Sequence, residues 1–352
     1  MQDVDADANI HRLQESFNTL DFSAQDALEM YRFMLLARLT DEYLADLRTK
    51  GLMNGGVSCK GHEAIQVACA RELVIGTDYI LPYYRDLALV IAMGMPLYDI
   101  FLNHLGSEKD PNSGGRMRPA HWSSRKLGIV SSSGVAATHI LHAAGIAFAA
   151  QIRQSSAITA AFFGEGATSE GDFHEALNFA GIHRVGALFI CENNGVALST
   201  PQSRQMKVKH VADRAPAYGV HGMLIDGANV FAAASAIREA AARARNGGGP
   251  VLLEAVIPSQ NKMHEQPEIY DPVYSLRTFL LQLGALTEAA DKEMREACAQ
   301  KIEEAYQLAL STDNTGIFAV QDYVYADNPA ESPQENIQPE ISFSIEETLP
   351  ND

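Results

Sequence analysis

The sequence predicts an α/β protein: a doubly wound, mostly parallel sheet with helices on both faces and a helical C-terminal part. Two observations carry this. From residue 79 to residue 256, short apolar runs that suit buried strands alternate with longer stretches of helical period. Within that span, residues 158–191 read as strand, helix and strand in about 35 residues, the size of a parallel crossover.

In chain order, residues 1–24 are polar and read as an extended N-terminal arm. Residues 27–50 place Met30, Phe33, Met34, Ala37, Leu44 and Leu47 at helical spacing, and Gly51 stops the helix. Ser58-Cys59-Lys60-Gly61-His62-Glu63 forms a turn opening the next helix, with a structural role favoured for His62 over a cofactor or partner contact. Residues 79–84 read as a strand ending at Tyr83-Tyr84-Arg85-Asp86. An aromatic–Arg pair at a strand end suits a ring bearing phosphate, and it equally describes a surface Arg beside a packed Tyr. Residues 110–125 are a Gly-, Pro- and cation-bearing loop. A turn at 131–138 precedes a helix of small residues over 137–150. Residues 220–226 and 251–256 are further strands around an Ala-rich helix at 231–245, closed by a Gly run. Residues 276–283 and 287–310 are helical by period, and the core domain is read as 25–326. The last 26 residues, 327–352, carry seven acidic residues, four Pro and neither Lys nor Arg, which reads as a flexible acidic tail.

Composition excludes some functions. The 352 residues, 47% hydrophobic, bury a sizeable core. A net charge of −17 argues against nucleic acid or an anionic membrane as the main partner. Cys59, Cys69, Cys191 and Cys298 lack metal-ligand spacing and read as reduced thiols of a cytoplasmic protein. The acidic start resembles neither a secretory signal nor a transit peptide.

The chemistry concentrates in Gly164-Glu165-Gly166-Ala167-Thr168-Ser169-Glu170-Gly171-Asp172 and in Glu192-Asn193-Asn194-Gly195. The first follows an apolar strand, and its glycines let the backbone turn and approach a ligand. Ser169 is placed to cap the following helix, with Asp172 three residues on. If the two strands are adjacent, Glu165 and Asn194, 29 residues apart, meet at the carboxyl end of the sheet, where such sheets bind ligands. A carboxylate, an amide oxygen and a backbone carbonyl suit Mg²⁺ or Ca²⁺, and the helix start suits a phosphate. A plain helix cap with a solvated Glu165 fits the same residues.

Gly164-Glu165-Gly166 followed by Asn193-Asn194 resembles the thiamine diphosphate signature. Residues 165–175 (EGATSEGDFHE) resemble the alpha subunit of the decarboxylating component of 2-oxoacid dehydrogenase complexes, most closely the branched-chain (2-oxoisovalerate) type. The resemblance extends over about 25–326. It implies thiamine diphosphate and Mg²⁺ as cofactors, a beta subunit in an α₂β₂ heterotetramer, and transfer of the acyl group to a lipoyl-bearing acyltransferase core. It also implies residue roles. Tyr84, Arg85 and the backbone of Ser133, Gly134 and Ala136 contact the cofactor; Tyr83 faces the substrate pocket. Glu165, Gly166, Ala167 and Asn194 hold the metal and diphosphate, and Glu165, Asn194 and the Val196 carbonyl are the Mg²⁺ ligands. Branched-chain members bind a monovalent cation, K⁺, with counterparts of Ser133, Val135 and Thr138 and a Gln; His139 stands at the Gln position.

One segment departs from the pattern. After the strand at 251–256 the family carries an Arg that reaches the diphosphate and a His that serves the reaction. Here those positions fall on Ser259 and Met263, and His264, one residue on, is the candidate catalytic group. Losing the Arg removes a charge-assisted contact of about 1.5–3 kcal/mol, and losing the His removes an acid–base factor of roughly 10²–10⁴. Acetoin cleavage or carboligation by the same cofactor, and a non-catalytic divergent subunit, are the competing readings.

Overall fold

The computed structural model describes residues 6–53 and 55–313. The acidic stretch 327–352 lies outside them. Twelve α-helices and three 3₁₀ helices accompany two sheets among the described residues. The main sheet is parallel and takes the order β1-β2-β3-β7-β6, from β1 (Tyr79–Leu81), β2 (Thr159–Gly164), β3 (Ala187–Asn193), β6 (His221–Asp226) and β7 (Val251–Val256). A two-stranded hairpin, β4 (Val196–Ala197) with β5 (Thr200–Pro201), projects beyond the end of β3.

The strands read as near-continuous apolar runs because both faces are covered. Alternate residues go to different cores, as the two-residue period of a strand requires. Ala160, Phe162, Leu188, Ile190, Val251 and Leu253 join one cluster, packed by α2 (Ala24–Thr49), α3 (Glu63–Glu72), α4 (Leu87–Ala92), α5 (Leu97–Leu105), α8 (Val230–Arg245) and α11 (Pro272–Gln282). Ala161, Phe163, Phe189, Cys191 and Leu252 face the other, covered by α6 (Thr138–Ile152) and α7 (Gly171–His183). The remaining helices are α1 (Ala6–Thr19), α9 (Gln260–Glu265), α10 (Pro267–Tyr270) and α12 (Glu288–Ser311).

Three local expectations change. Residues 6–19 are helical rather than extended: Ile10, Leu13 and Phe17 lie on one helical face and pack on the core, with Phe17 edge-on to Phe231 and Phe279. The strand read over 79–84 stops at Leu81, because Asp86 Oδ2 accepts the Tyr83 N–H at 2.8 Å and turns the chain into α4. Ser169 does not cap α7. A 3₁₀ turn takes up Glu165–Ser169, its Thr168 hydroxyl donating to the Glu165 carbonyl at 2.7 Å, so the cap position moves to Glu170.

Candidate active site

The two signature segments meet. β2 and β3 are neighbours with Gly164 opposite Glu192, so Glu165 and Asn194 leave adjacent strand ends. The first Asn of the pair is a brace. Asn193 Nδ2 donates to Glu254 Oε1 on β7 at 2.6 Å and to Gln202 Oε1 at 2.9 Å, while its Oδ1 accepts the Gly195 N–H. That leaves Asn194 at the sheet end, where its Oδ1 accepts the Val196 N–H at 3.2 Å. Glu165 is buried, and its Oε1 has no hydrogen-bond partner. Burial pushes its carboxyl up from the ordinary range, opposed by its own backbone amide, Arg85, the Asn194 amide and Gln205. A buried, unpartnered carboxylate oxygen is an expensive group to keep without a ligand. Among the described residues no three His, Cys, Asp or Glu side chains gather as a metal cluster. A cation bound here would have one carboxylate together with amide and carbonyl oxygens, a set that suits a hard ion.

Gly166 shows how closely the hairpin sits on this turn. A Cβ there would lie 2.5 Å from the Ala197 Cβ. The hairpin is braced from both ends, with Gln202 N–H donating to the Gly195 carbonyl at 3.0 Å and Gln205 to the Thr200 carbonyl at 2.9 Å.

The opposite wall is the turn from β1 into α4. Tyr84 is exposed, and the Arg85 guanidinium lies 5.6 Å from its ring centroid. Arg85 Nη1 donates to the Ser58 carbonyl at 2.6 Å, which fixes the arm. Tyr83 is buried, with its ring below Gly164 and its hydroxyl donating to Glu192 Oε2 at 3.2 Å.

Glu192 is the feature that residue-by-residue reading misses. It is fully buried and accepts from His62 Nδ1 at 2.6 Å, Tyr83 Oη at 3.2 Å and Gln66 Nε2 at 3.0 Å. Gln66 also donates to Asp86 Oδ1 and to the Arg85 carbonyl. One carboxylate thus ties together the end of β3, the Tyr83–Arg85 turn and the turn carrying His62. Burial pulls the His62 pKa down, so a neutral ring donates Nδ1–H to the carboxylate. Burial and the neighbouring Glu192 push Asp86 well up. His62 therefore has a structural partner, as its favoured reading holds. The position of Glu192 just before Asn193-Asn194 was the available signal.

Ser133, Gly134 and Ala136 lie in the turn before α6. Ser133 Oγ accepts the Val135 N–H at 3.1 Å, and Val135 is exposed. The turn is pinned to the Tyr83–Arg85 wall, because Ser132 Oγ donates to the Pro82 carbonyl at 3.0 Å. His139 is not available as a cation ligand through its Nε2, which bonds the Phe162 carbonyl at 2.7 Å.

The altered segment folds as α9. Met263, not His264, faces inward: it is 1% exposed, and its Cε would stand 2.4 Å from a Cβ on Gly61. His264 is exposed. A six-residue helix cannot turn both neighbours to the same side, because consecutive positions lie 100° apart.

The comparisons agree on one family. Residues 31–257 match the model of the family described as dehydrogenase E1 component. The chain is 35% identical over 321 residues to the 2-oxoisovalerate dehydrogenase subunit alpha of Bacillus subtilis, covering 87% of this chain and 97% of the relative. It is 33% identical over 282 residues to the 3-methyl-2-oxobutanoate dehydrogenase subunit alpha of Mycobacterium tuberculosis, covering 75% and 73%. It is 30% identical over 324 residues to the pyruvate dehydrogenase E1 component subunit alpha of Staphylococcus aureus, covering 88% and 85%.

Proposed function

The chain belongs to the dehydrogenase E1 component family, and from that premise we propose that it is the alpha subunit of a thiamine diphosphate-dependent 2-oxoacid dehydrogenase acting on a branched-chain 2-oxo acid. The observation that carries the reading is the meeting of Glu165, with its unpartnered buried oxygen, and Asn194 at two adjacent parallel strand ends.

The residues fit the cofactor. Glu165, the Asn194 amide oxygen and the Val196 carbonyl are the oxygen donors for Mg²⁺ on its diphosphate. Arg85 and the N–H groups of Gly166 and Ala167 hold phosphate oxygens, the first as a charge-assisted donor. Tyr84 and the backbone of Ser133, Gly134 and Ala136 hold the rings. When bound, thiamine diphosphate supplies the carbanion that attacks the keto carbon and the electron sink for decarboxylation. The protein's share is to orient it, neutralise the diphosphate and keep water from the reacting carbon. A beta subunit completes the site in an α₂β₂ assembly, and a lipoyl-bearing acyltransferase receives the acyl group. No helix among the described residues is long and apolar enough to cross a membrane.

Met263 in place of an inward His favours a second reading, in which the acceptor is an aldehyde rather than a lipoyl group. The chain alone is expected to be inactive. Reconstituted with its beta subunit, it should decarboxylate 3-methyl-2-oxobutanoate and reduce a lipoyl carrier. Decarboxylation by the isolated chain contradicts the half-site, and turnover with aldehydes but not lipoyl carriers selects the second reading.

A further inference from the structure

Segment 257–265 presents no inward imidazole, since Met263 fills the inner side and His264 is exposed. The rings of His62 and His139 are taken by Glu192 and by the Phe162 carbonyl. His121 differs from all of these. It is 8% exposed, and its Nδ1 stands 3.0 Å from the Arg118 carbonyl oxygen and 3.2 Å from that of Pro119. Carbonyl oxygens only accept, so Nδ1 carries the proton and Nε2 carries the lone pair. Nε2 points at the turn before α6. A Cβ on Gly134 would stand 3.6 Å from it, with no other atom within 4 Å outside the adjoining residues.

The surroundings fix that ring. Asn103 Oδ1 accepts the Ala120 N–H at 2.8 Å, and Ser132 N–H donates to the Trp122 carbonyl at 3.2 Å, so the residues on either side of His121 are tied down. Ser123 and Ser131 hydroxyls bond each other at 3.0 Å across the same seam. Ala120 is held at φ +64°, a left-handed conformation that costs a non-glycine residue about 1 kcal/mol or more. Among the described residues, six non-glycines have positive φ. Asp21, Gln154 and Arg184 follow helix ends and Leu198 lies in the two-residue turn of the β4–β5 hairpin, where such a conformation is ordinary, whereas Ala120 adjoins His121 and Ala137 directly precedes α6. Strain kept at a site without a helix end to explain it marks a side chain whose direction matters.

From this we propose that His121 Nε2 is the proton-transfer group of this half-site, standing in for the imidazole that segment 257–265 lacks. The inference rests on the thiamine diphosphate reading above. Nε2 takes up a proton from water and passes it to the keto oxygen of the 2-oxo acid as negative charge develops there, which returns the ring to its neutral Nδ1–H form. The proton returns to Nε2 when the carbonyl re-forms, so the cycle consumes none.

The test uses the reconstituted component with thiamine diphosphate and Mg²⁺. His121→Asn keeps a side-chain N–H for the Arg118 and Pro119 carbonyls but lacks the second ring nitrogen. It should lose roughly 10²–10⁴ in decarboxylation rate, read with an artificial electron acceptor, while calorimetry shows cofactor affinity within about threefold of the parent. Free imidazole should restore part of the rate to His121→Ala. An Asn variant within about threefold of the parent rate, a loss of rate that tracks a loss of cofactor affinity, or an Ala variant indifferent to imidazole each overturns the role of His121. A parent component that binds no thiamine diphosphate overturns the reading beneath it, and calorimetry on the parent separates the two failures.

Discussion

Replacing Glu192 by Ala should destabilise the fold sharply and loosen the Arg85 wall. The carboxylate is fully buried and has three donors. Gln66 keeps other acceptors in Asp86 and the Arg85 carbonyl, so two donors lose theirs, His62 Nδ1 and Tyr83 Oη. An orphaned buried donor costs about 1–3 kcal/mol. Asp86 gives some of that back, since removing the neighbouring carboxylate relieves the pressure on its own ionisation. The net expectation is a loss of about 2–4 kcal/mol, read as a lower urea midpoint with the slope unchanged. Glu192→Gln keeps shape and one acceptor oxygen and should lose less than the Ala variant. Cofactor affinity should fall in both, because the turn that carries Arg85 is held through Gln66 and Asp86. A Glu192→Ala protein within ~0.5 kcal/mol of the parent would refute the idea that this carboxylate joins the three walls.

Burial holds the His104 pKa at about 4 against an ordinary 6.5. The unfolded chain therefore takes up that proton first. The stability this group contributes is complete above pH 6.5 and drains away as the pH falls towards 4, by up to about 3 kcal/mol. Denaturation series across that range should show the slope, and His104→Gln should flatten it. Gly61→Ala should cost about 1–3 kcal/mol, since φ is +92° and the new methyl meets Met263; an unchanged melting temperature contradicts the docking of α9 on this turn. Gly166→Val should weaken Mg²⁺-dependent cofactor binding at least tenfold while leaving the circular dichroism spectrum intact, because its Cβ meets Ala197 at 2.5 Å.

Much of the frame is legible in the sequence because parallel strands buried on both faces leave unbroken apolar runs. β7 is read to the residue, and β2, β3 and β6 to within a residue or two. The Glu165–Asn194 meeting is legible for the same reason: adjacency of consecutive parallel strands converts sequence spacing into contact. The α1 signal, Ile10, Leu13 and Phe17, is present but diluted by the polar residues around it. Ser169 misleads because a 3₁₀ turn intervenes between the glycines and the helix. The Glu192 network is invisible to local patterns, since its partners lie 130 and 126 residues away in His62 and Gln66 and 109 away in Tyr83. His121 sits in a loop without period, where only the structure shows which ring nitrogen is free.

The central claim is that Glu165 and Asn194 form the metal–diphosphate wall of a thiamine diphosphate site shared with a beta subunit. Calorimetric titration of the reconstituted tetramer with thiamine diphosphate and Mg²⁺, beside a Glu165→Ala control, tests it most directly. Saturable binding that requires Mg²⁺ and is lost in the control is the predicted result. Absence of saturable binding in the parent, or binding that Glu165→Ala leaves unchanged, contradicts it.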